Sequence, residues 1–273
     1  MTQFLPKELD TYFYWIHERE SIRINKEVLS QAPPWTGDEI LQKYKFCQVF
    51  REDDRTTRWF REHIREPLKD STDVFMATVI FRWFNYIESG RTLLKHDLLR
   101  NWDRKKAIEK ISKQDKWVTG AYIIKTPNRM NKVTGVAECV SHMWKDKDYL
   151  IDHMDSVATL EEAWHVLRDY PYMGPFMAYE VVTDLRHTYV LENATDIMTW
   201  ANPGPGAMRG LNRLTGRELG FCKRSHPWNE EMQELLKIAH ERLNNNLIDL
   251  HKFEMREVEG GLCEFDKYSR TVQ

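Results

Sequence analysis

The residues best suited to chemistry stand between Asn202 and Arg213, in Asn202-Pro-Gly-Pro-Gly-Ala-Met-Arg-Gly-Leu-Asn-Arg213. Gly204 and Gly206 permit backbone conformations closed to other residues and remove side chains that would block a close ligand. Ala207–Leu214 reads as the start of a helix, so the loop aims free N–H groups at whatever lies above it. Arg209 and Arg213 fall at i and i+4 on one helical face, with Asn212 beside them. Such an arrangement suits an anion, a phosphate or pyrophosphate group. It is not a P-loop, because the Gly-Lys-Ser/Thr ending is absent. The alternative is a Pro/Gly turn that merely ends one helix and opens another.

A second constellation spans Thr159–Leu185. A helix leads into Asp169-Tyr-Pro-Tyr-Met-Gly-Pro-Phe-Met-Ala178, followed by the apolar residues Tyr179, Val181, Val182 and Leu185. A tight turn around Gly174 and a helix opening with Pro175 satisfy the rules for helix ends. Met173, Gly174 and Phe176 then present backbone N–H groups that can hold a DNA phosphate without a basic side chain. The pattern resembles the helix-hairpin-helix of base-excision DNA glycosylases. In those enzymes a catalytic Asp follows the hairpin at the start of another helix, and Asp196, in Thr195-Asp-Ile-Met-Thr-Trp200, sits at the corresponding distance. Asp196 also reads as an N-terminal helix residue favoured by the helix dipole. Two departures stand out. Phe176 occupies the position of the lyase Lys, and the four cysteines (Cys47, Cys139, Cys222, Cys263) are too scattered for an iron–sulfur cluster.

Stepping outward, the elements that carry these residues are helical. Glu8–Lys26, Thr57–Ile64, Asp73–Glu88, Asn101–Lys113, Gly135–Lys145, Thr159–Asp169 and Trp228–Leu250 show helical spacing of apolar residues. Thr36 or Asp38 can cap a helix running to about Phe50, and Thr159 with Glu162 forms a capping box. Gly120–Ile124 reads as a short strand or a buried helical turn, Pro127–Thr134 as a polar loop, and Gly260–Gln273 as an irregular tail. The expected fold is all-α, with a two-lobed, helix-hairpin-helix glycosylase-like architecture. The 273 residues form a single two-lobed domain: an N-terminal helical lobe over 1–115, and a lobe over 116–273 carrying the hairpin, the glycine loop and a C-terminal helix.

The net charge of −2 excludes a polycation, so a nucleic-acid role depends on local groups. One such group is Arg209, Arg213, Arg217, Lys223 and Arg224. Another includes Arg51, Asp54 and Arg55, which either line the same pocket as the glycine loop or form an inter-helix salt-bridge network. Lys132, in the polar loop, contacts phosphate or solvates it. The histidines show no ligand spacing, so no metal and no cofactor are expected. Without a membrane span, secretory signal or disulfide spacing, the expected location is cytoplasmic, in the host cytoplasm if phage-encoded.

One known group combines Pro34-Trp-Thr-Gly-Asp38, Tyr44–Arg51 with Asp54 and Arg55, Thr119-Gly-Ala-Tyr-Ile-Ile124, Gly174-Pro-Phe, Asp196 and Asn202–Arg213. With these motifs the chain resembles the α-glutamyl/putrescinyl thymine pyrophosphorylases, and the helical domain attached to 5-hydroxymethyluracil DNA kinases. The likeness covers roughly Phe13 to Leu219, and the glycine loop is its most specific part. These residues hold no P-loop ATPase domain, so the stand-alone form is the better match.

The resemblance implies an enzyme of phage thymine hypermodification that displaces pyrophosphate from 5-pyrophosphoryloxymethyluracil in double-stranded DNA. The incoming group is an amine, from an amino acid or a polyamine. In that reading Arg209, Arg213, Asn202, Gly204, Gly206 and Asn212 bind the leaving group, and Asp196 acts as general base or stabilises a cationic methylene. A DNA glycosylase, or a non-catalytic DNA-binding subunit working with a kinase, are the alternatives.

Overall fold

The computed structural model describes residues 2–121, 123–243 and 247–272. Every regular element among them is helical, as the apolar periodicity requires. In chain order the α-helices are α1 (Pro6–Arg23), α2 (Glu39–Lys43), α3 (Arg55–Phe60), α4 (Glu66–Leu68), α5 (Asp73–Phe84), α6 (Ile87–Lys95) and α7 (Arg104–Ile111). They continue with α8 (Lys132–Lys145), α9 (Lys147–Met154), α10 (Leu160–Arg168), α11 (Pro175–Leu185), α12 (Pro205–Thr215), α13 (Trp228–Arg242) and α14 (Met255–Val272). Among the described residues no helix is long and apolar enough to cross a membrane. No group of three or more His, Cys, Asp or Glu there is placed to hold a metal ion.

Two compact units divide the chain: Met1–Asp54 with Ile197–Gln273, and Arg55–Asp196. The division expected at residue 115 falls inside the second unit, and the N-terminal segment joins the C-terminal helices. In the first unit, α1 buries Leu9, Tyr12, Phe13, Trp15 and Ile16, and α14 buries Val258, Leu262 and Phe265. Tyr12 and Phe265 meet edge to face with ring centroids 5.6 Å apart. Each such side chain contributes roughly 1.5–3 kcal/mol on leaving water.

The largest revision concerns the C-terminus. Residues 260–272, expected to be irregular, belong to α14. Gly260 and Gly261 disguise it, since each glycine weakens an isolated helix by about 1 kcal/mol. Packing supplies what local propensity lacks. A Cβ on Gly261 would stand 2.9 Å from the Tyr12 hydroxyl oxygen, so a glycine is what allows α1 so close.

In the second unit the centre is α5, buried from Val74 to Phe84. It stops earlier than the expected Glu88 because Asn85 turns left-handed at φ 43°. Arg82, the one charge in this apolar run, is 2% exposed. Its guanidinium makes a two-pronged pair with fully buried Asp184 of α11, through Nη2 at 2.8 Å and through Nε. Thr57 Oγ1 and Asn85 Oδ1 accept from its remaining N–H groups.

Several local expectations change. The helix opened by Asp38 ends at Lys43 rather than near Phe50. Gly120, Ala121, Ile123 and Ile124 form neither strand nor helix, and Tyr122 lies outside the described residues. The helix expected over Trp228–Leu250 ends at Arg242, and residues 244–246 also lie outside the description. Residues 195–199, expected to open a helix at Asp196, are turns, and Trp200 has no regular structure.

Candidate functional site

The glycine loop opens α12, with Gly204 as N-cap and Pro205 as first residue. Its glycines answer first to packing. A Cβ on Gly206 would lie 2.4 Å from Cys263 Sγ, and one on Gly210 would lie 2.4 Å from the Leu262 carbonyl oxygen. Glycine at 206 and 210 is what lets α12 and α14 approach backbone to backbone. The Gly204 N–H donates to Glu259 Oε1 at 3.3 Å. The helix opening therefore already faces a carboxylate, which complements its dipole. Asn202 stands half-buried at the start of the loop.

One turn and two turns further along α12 come Arg209 and Arg213. Both turn their Nε toward Asp266 of α14, at 2.8 and 2.9 Å. Arg270, one turn along α14, brings its Nε to 3.3 Å from the same carboxylate. Asp266 is 0% exposed, whereas the side chains of Arg209, Arg213 and Arg270 are 37%, 10% and 55% exposed. Three guanidinium groups thus surround one buried carboxylate, a formal excess of two positive charges. Arg209 and Arg213 donate to the carboxylate through Nε, and Arg270 Nε donates to the Asp266 backbone carbonyl oxygen at 3.3 Å. Guanidinium N–H pairs held in a fixed plane match the oxygens of a phosphate or carboxylate. The i,i+4 arginines were legible in the sequence; the carboxylate that aims them was not.

Asn212 has a different occupation. It is fully buried, its amide donates to the Phe221 carbonyl oxygen at 2.8 Å, and its Oδ1 accepts from Arg217 Nε at 3.0 Å. These bonds tie residues 217–221 back to α12. Asn212 is committed to the fold in this arrangement.

Arg51 and Asp54 reach the glycine loop through two residues that sequence reasoning passed over. Asp54 accepts from the Gln48 N–H at 3.1 Å. Burial pushes its carboxyl above the ordinary value, against the N–H of Gln48 and the charges of Arg51, Arg256 and Arg19. Arg256 in turn pairs with Glu259 at 3.0 Å, and Glu259 holds Gly204. The chain of charge from Asp54 through Arg256 and Glu259 to Gly204 lies wholly within the first unit. Arg55 is exposed and opens α3 in the second unit.

The other expected site residues belong to the second unit. Asp196 Oδ1 accepts from the Leu160 N–H at 2.7 Å and Oδ2 from the Glu161 N–H at 3.1 Å. Thr159 Oγ1 accepts from the Glu162 N–H at 3.0 Å. The first three N–H groups of α10, which no helical carbonyl can satisfy, are thereby all paired. Between α10 and α11 the left-handed residue is Tyr172, at φ 65°, while Gly174 is extended. The turn pivots there rather than at Gly174. Met173 is 1% exposed and belongs to the core; Phe176 is 46% exposed. Lys132 is exposed at the start of α8.

Asp266, Arg270, Arg256 and Glu259 all lie on α14. Their signal was the apolar series Met255, Val258, Leu262 and Phe265, which has helical spacing.

Fold and site define an all-helical protein with three arginines gathered around one buried carboxylate. The chain belongs to the family of the helical domain of 5-hmdU DNA kinase, whose model matches residues 6–273. A relative from Bacillus phage SP10, described as a 5-hmdU DNA kinase, is 25% identical over 296 aligned positions, covering 95% of this chain. The chain spans 44% of that relative's length. No solved structure matches it.

Proposed function

We propose that this chain works in the modification of 5-hydroxymethyluracil-derived bases in DNA, and that it displaces pyrophosphate from 5-pyrophosphoryloxymethyluracil with an amine. The observation that carries this reading is the triad of Arg209, Arg213 and Arg270 around buried Asp266. A pyrophosphate leaving group concentrates negative charge as its bond to carbon breaks, and preorganised guanidinium groups stabilise that charge without reorganising. In the step, the amine lone pair forms a bond to the 5-methylene carbon. The carbon–oxygen bond breaks, pyrophosphate leaves with the electron pair, and the new ammonium loses a proton. The pyrimidine ring stabilises the electron-deficient methylene.

Arg51 and Asp54 support the loop from behind, through Arg256 and Glu259. Asp196 in the role of general base would have to release the N–H groups of Leu160 and Glu161, so its assignment rests on the resemblance to glycosylases. Gly174, Phe176 and Lys132, with the backbone at Met173, are proposed to meet the DNA backbone.

A second reading has its own support. The SP10 relative is more than twice as long as the stretch it shares with this chain. A helical DNA-handling subunit that presents the base to a separate phosphoryl-transferring domain fits that proportion.

The decisive experiment incubates the protein with duplex DNA carrying 5-pyrophosphoryloxymethyluracil and a panel of amines, followed by nucleoside mass spectrometry and a pyrophosphate assay. Pyrophosphate release with an amine adduct is the expected result. An abasic product would instead assign a glycosylase, and unaltered DNA with retained affinity would assign the presenting subunit.

A further inference from the structure

An open cleft of about 550 Å³ lies in the second unit, and none of the residues assigned above line it. Its walls include His96 and Asp97 after α6, Asp103 and Lys106 at the opening of α7, and Trp144 and Lys147 where α8 gives way to α9. We propose that this cleft binds a free mononucleotide, with its phosphate at Lys106 and its base against Trp144.

Charge selects an anion. Both carboxylates of the cleft already accept hydrogen bonds: Asp103 Oδ1 takes the Lys106 N–H at 2.9 Å, capping α7, and Asp97 Oδ2 takes the Asn101 amide at 2.5 Å. The cations from Lys95 to Lys110 divide into two sets. Arg100, Arg104 and Lys110 pair with Asp73, Glu138 and Glu109, each at 2.8 Å. Lys95, Lys105 and Lys106 have no carboxylate partner among the described residues. Lys106 Nζ donates to the His96 carbonyl oxygen at 3.0 Å, which holds its ammonium at the cleft. The His96 imidazole registers the resulting field. Loss of surrounding water, then the charges of Lys110, Lys106 and Lys95, hold it below its ordinary value, with Glu109 opposing. A positive field in a concavity draws anions.

Shape and polarity narrow the anion to one that carries a flat ring. Half-buried Trp144 has Lys147 Nζ 4.9 Å from its ring centroid, and that lysine side chain is 40% exposed. The ion pair of Lys147 with Asp148 is long, at 4.0 Å. A ring face that meets an exposed lysine rather than the core is open to a planar base, and stacking tolerates every base because each has a π-face. Displaced from the ring, the Lys147 ammonium becomes a second donor to phosphate in the same cleft. The volume falls inside the range of about 300–1,000 Å³ that small-ligand sites occupy.

This site stands apart from the proposed reaction, because a free nucleotide is neither the duplex, the leaving group nor the amine, and its binding is read without any of them. Isothermal titration calorimetry of the whole chain with adenosine 5′-monophosphate, adenosine and ribose 5-phosphate tests it. The nucleotide should bind at one site, about tenfold or more tighter than either half of it. Lys106→Gln should weaken the nucleotide about tenfold, the loss expected for one charge-assisted hydrogen bond, and spare adenosine. Trp144→Leu should weaken the nucleotide about tenfold and spare ribose 5-phosphate. Lys7→Gln, at an exposed lysine of the first unit, should change nothing. In a proton NMR titration the His96 midpoint should rise once nucleotide is bound, because the phosphate offsets the lysines. No nucleotide binding, wild-type affinity in Lys106→Gln, an equal loss in Lys7→Gln, or an unmoved His96 would each overturn the site.

Discussion

Arg213 Nε stands 2.9 Å from a carboxylate oxygen of Asp266, and that carboxylate is completely buried. A buried acid beneath three arginines has two effects that oppose each other for an anion. Its charge weakens the attraction, and its oxygens fix where the guanidinium groups point. Which effect wins is measurable. If orientation dominates, Asp266→Asn lowers pyrophosphate affinity even though it removes a negative charge. A rise in affinity would show that Asp266 only neutralises. The fold should suffer as well, because Arg213, only 10% exposed, loses its charge partner, visible as a lowered denaturation midpoint.

Arg209 and Arg213 should separate affinity from stability. The Arg209 side chain is 37% exposed and that of Arg213 is 10% exposed. Arg209→Ala is expected to reduce pyrophosphate affinity about tenfold, the loss of one charge-assisted contact, while leaving stability nearly intact. Arg213→Ala should lower both. Calorimetric titration with pyrophosphate and a thermal melt on each variant make the comparison.

Glycine substitutions should divide by what surrounds them. Gly210→Ala places a methyl 2.4 Å from the Leu262 carbonyl oxygen and 2.9 Å from its carbon. Backbone cannot swing aside, so α12 and α14 must part, at a cost of about 1–3 kcal/mol or more in urea denaturation. Gly174→Ala meets nothing within 4 Å, and its φ of −68° suits any residue. Its stability should stay within about 0.5 kcal/mol of wild type. If the hairpin grips DNA, its duplex affinity should fall all the same.

Asp196→Asn and Asp196→Ala distinguish a cap from a base. Asn keeps one acceptor oxygen for one of the two N–H groups that Asp196 satisfies and turns an NH2 toward the other, whereas Ala accepts neither, and losing such a cap costs about 0.5–2 kcal/mol. The Asn protein should therefore melt below wild type but above the Ala protein. Loss of turnover in the well-folded Asn protein would place Asp196 in the chemistry; full turnover would leave it as the α10 cap alone.

Stability should also depend on pH through Glu257. Burial raises its carboxyl from 4.5 to about 7. Between those values the folded chain holds a proton that the unfolded chain releases, so stability falls as pH rises through that window and levels above it. Glu257→Gln should flatten this slope and make the protein more stable than wild type at about pH 8. A wild-type melting temperature that climbs between about pH 5 and pH 7, with the same climb in Glu257→Gln, would refute this.

The all-helical class, the capping of α10 by Thr159, and the face shared by Arg209 and Arg213 could be determined from the sequence alone. Each depends on residues within a few positions of one another, where spacing translates directly into geometry. Tertiary structure decided the rest. Gly260 and Gly261 hid α14 from local reasoning, because the helix is held by packing with distant segments, such as Tyr12 of α1 against Gly261. With α14 hidden, neither Asp266 beneath Arg209 and Arg213 nor Glu259 at Gly204 could be foreseen. Asp196 was singled out by its distance from a hairpin, yet its oxygens meet Leu160 and Glu161, more than thirty positions earlier. Such pairings are set by packing between distant segments, which no local pattern of residues encodes.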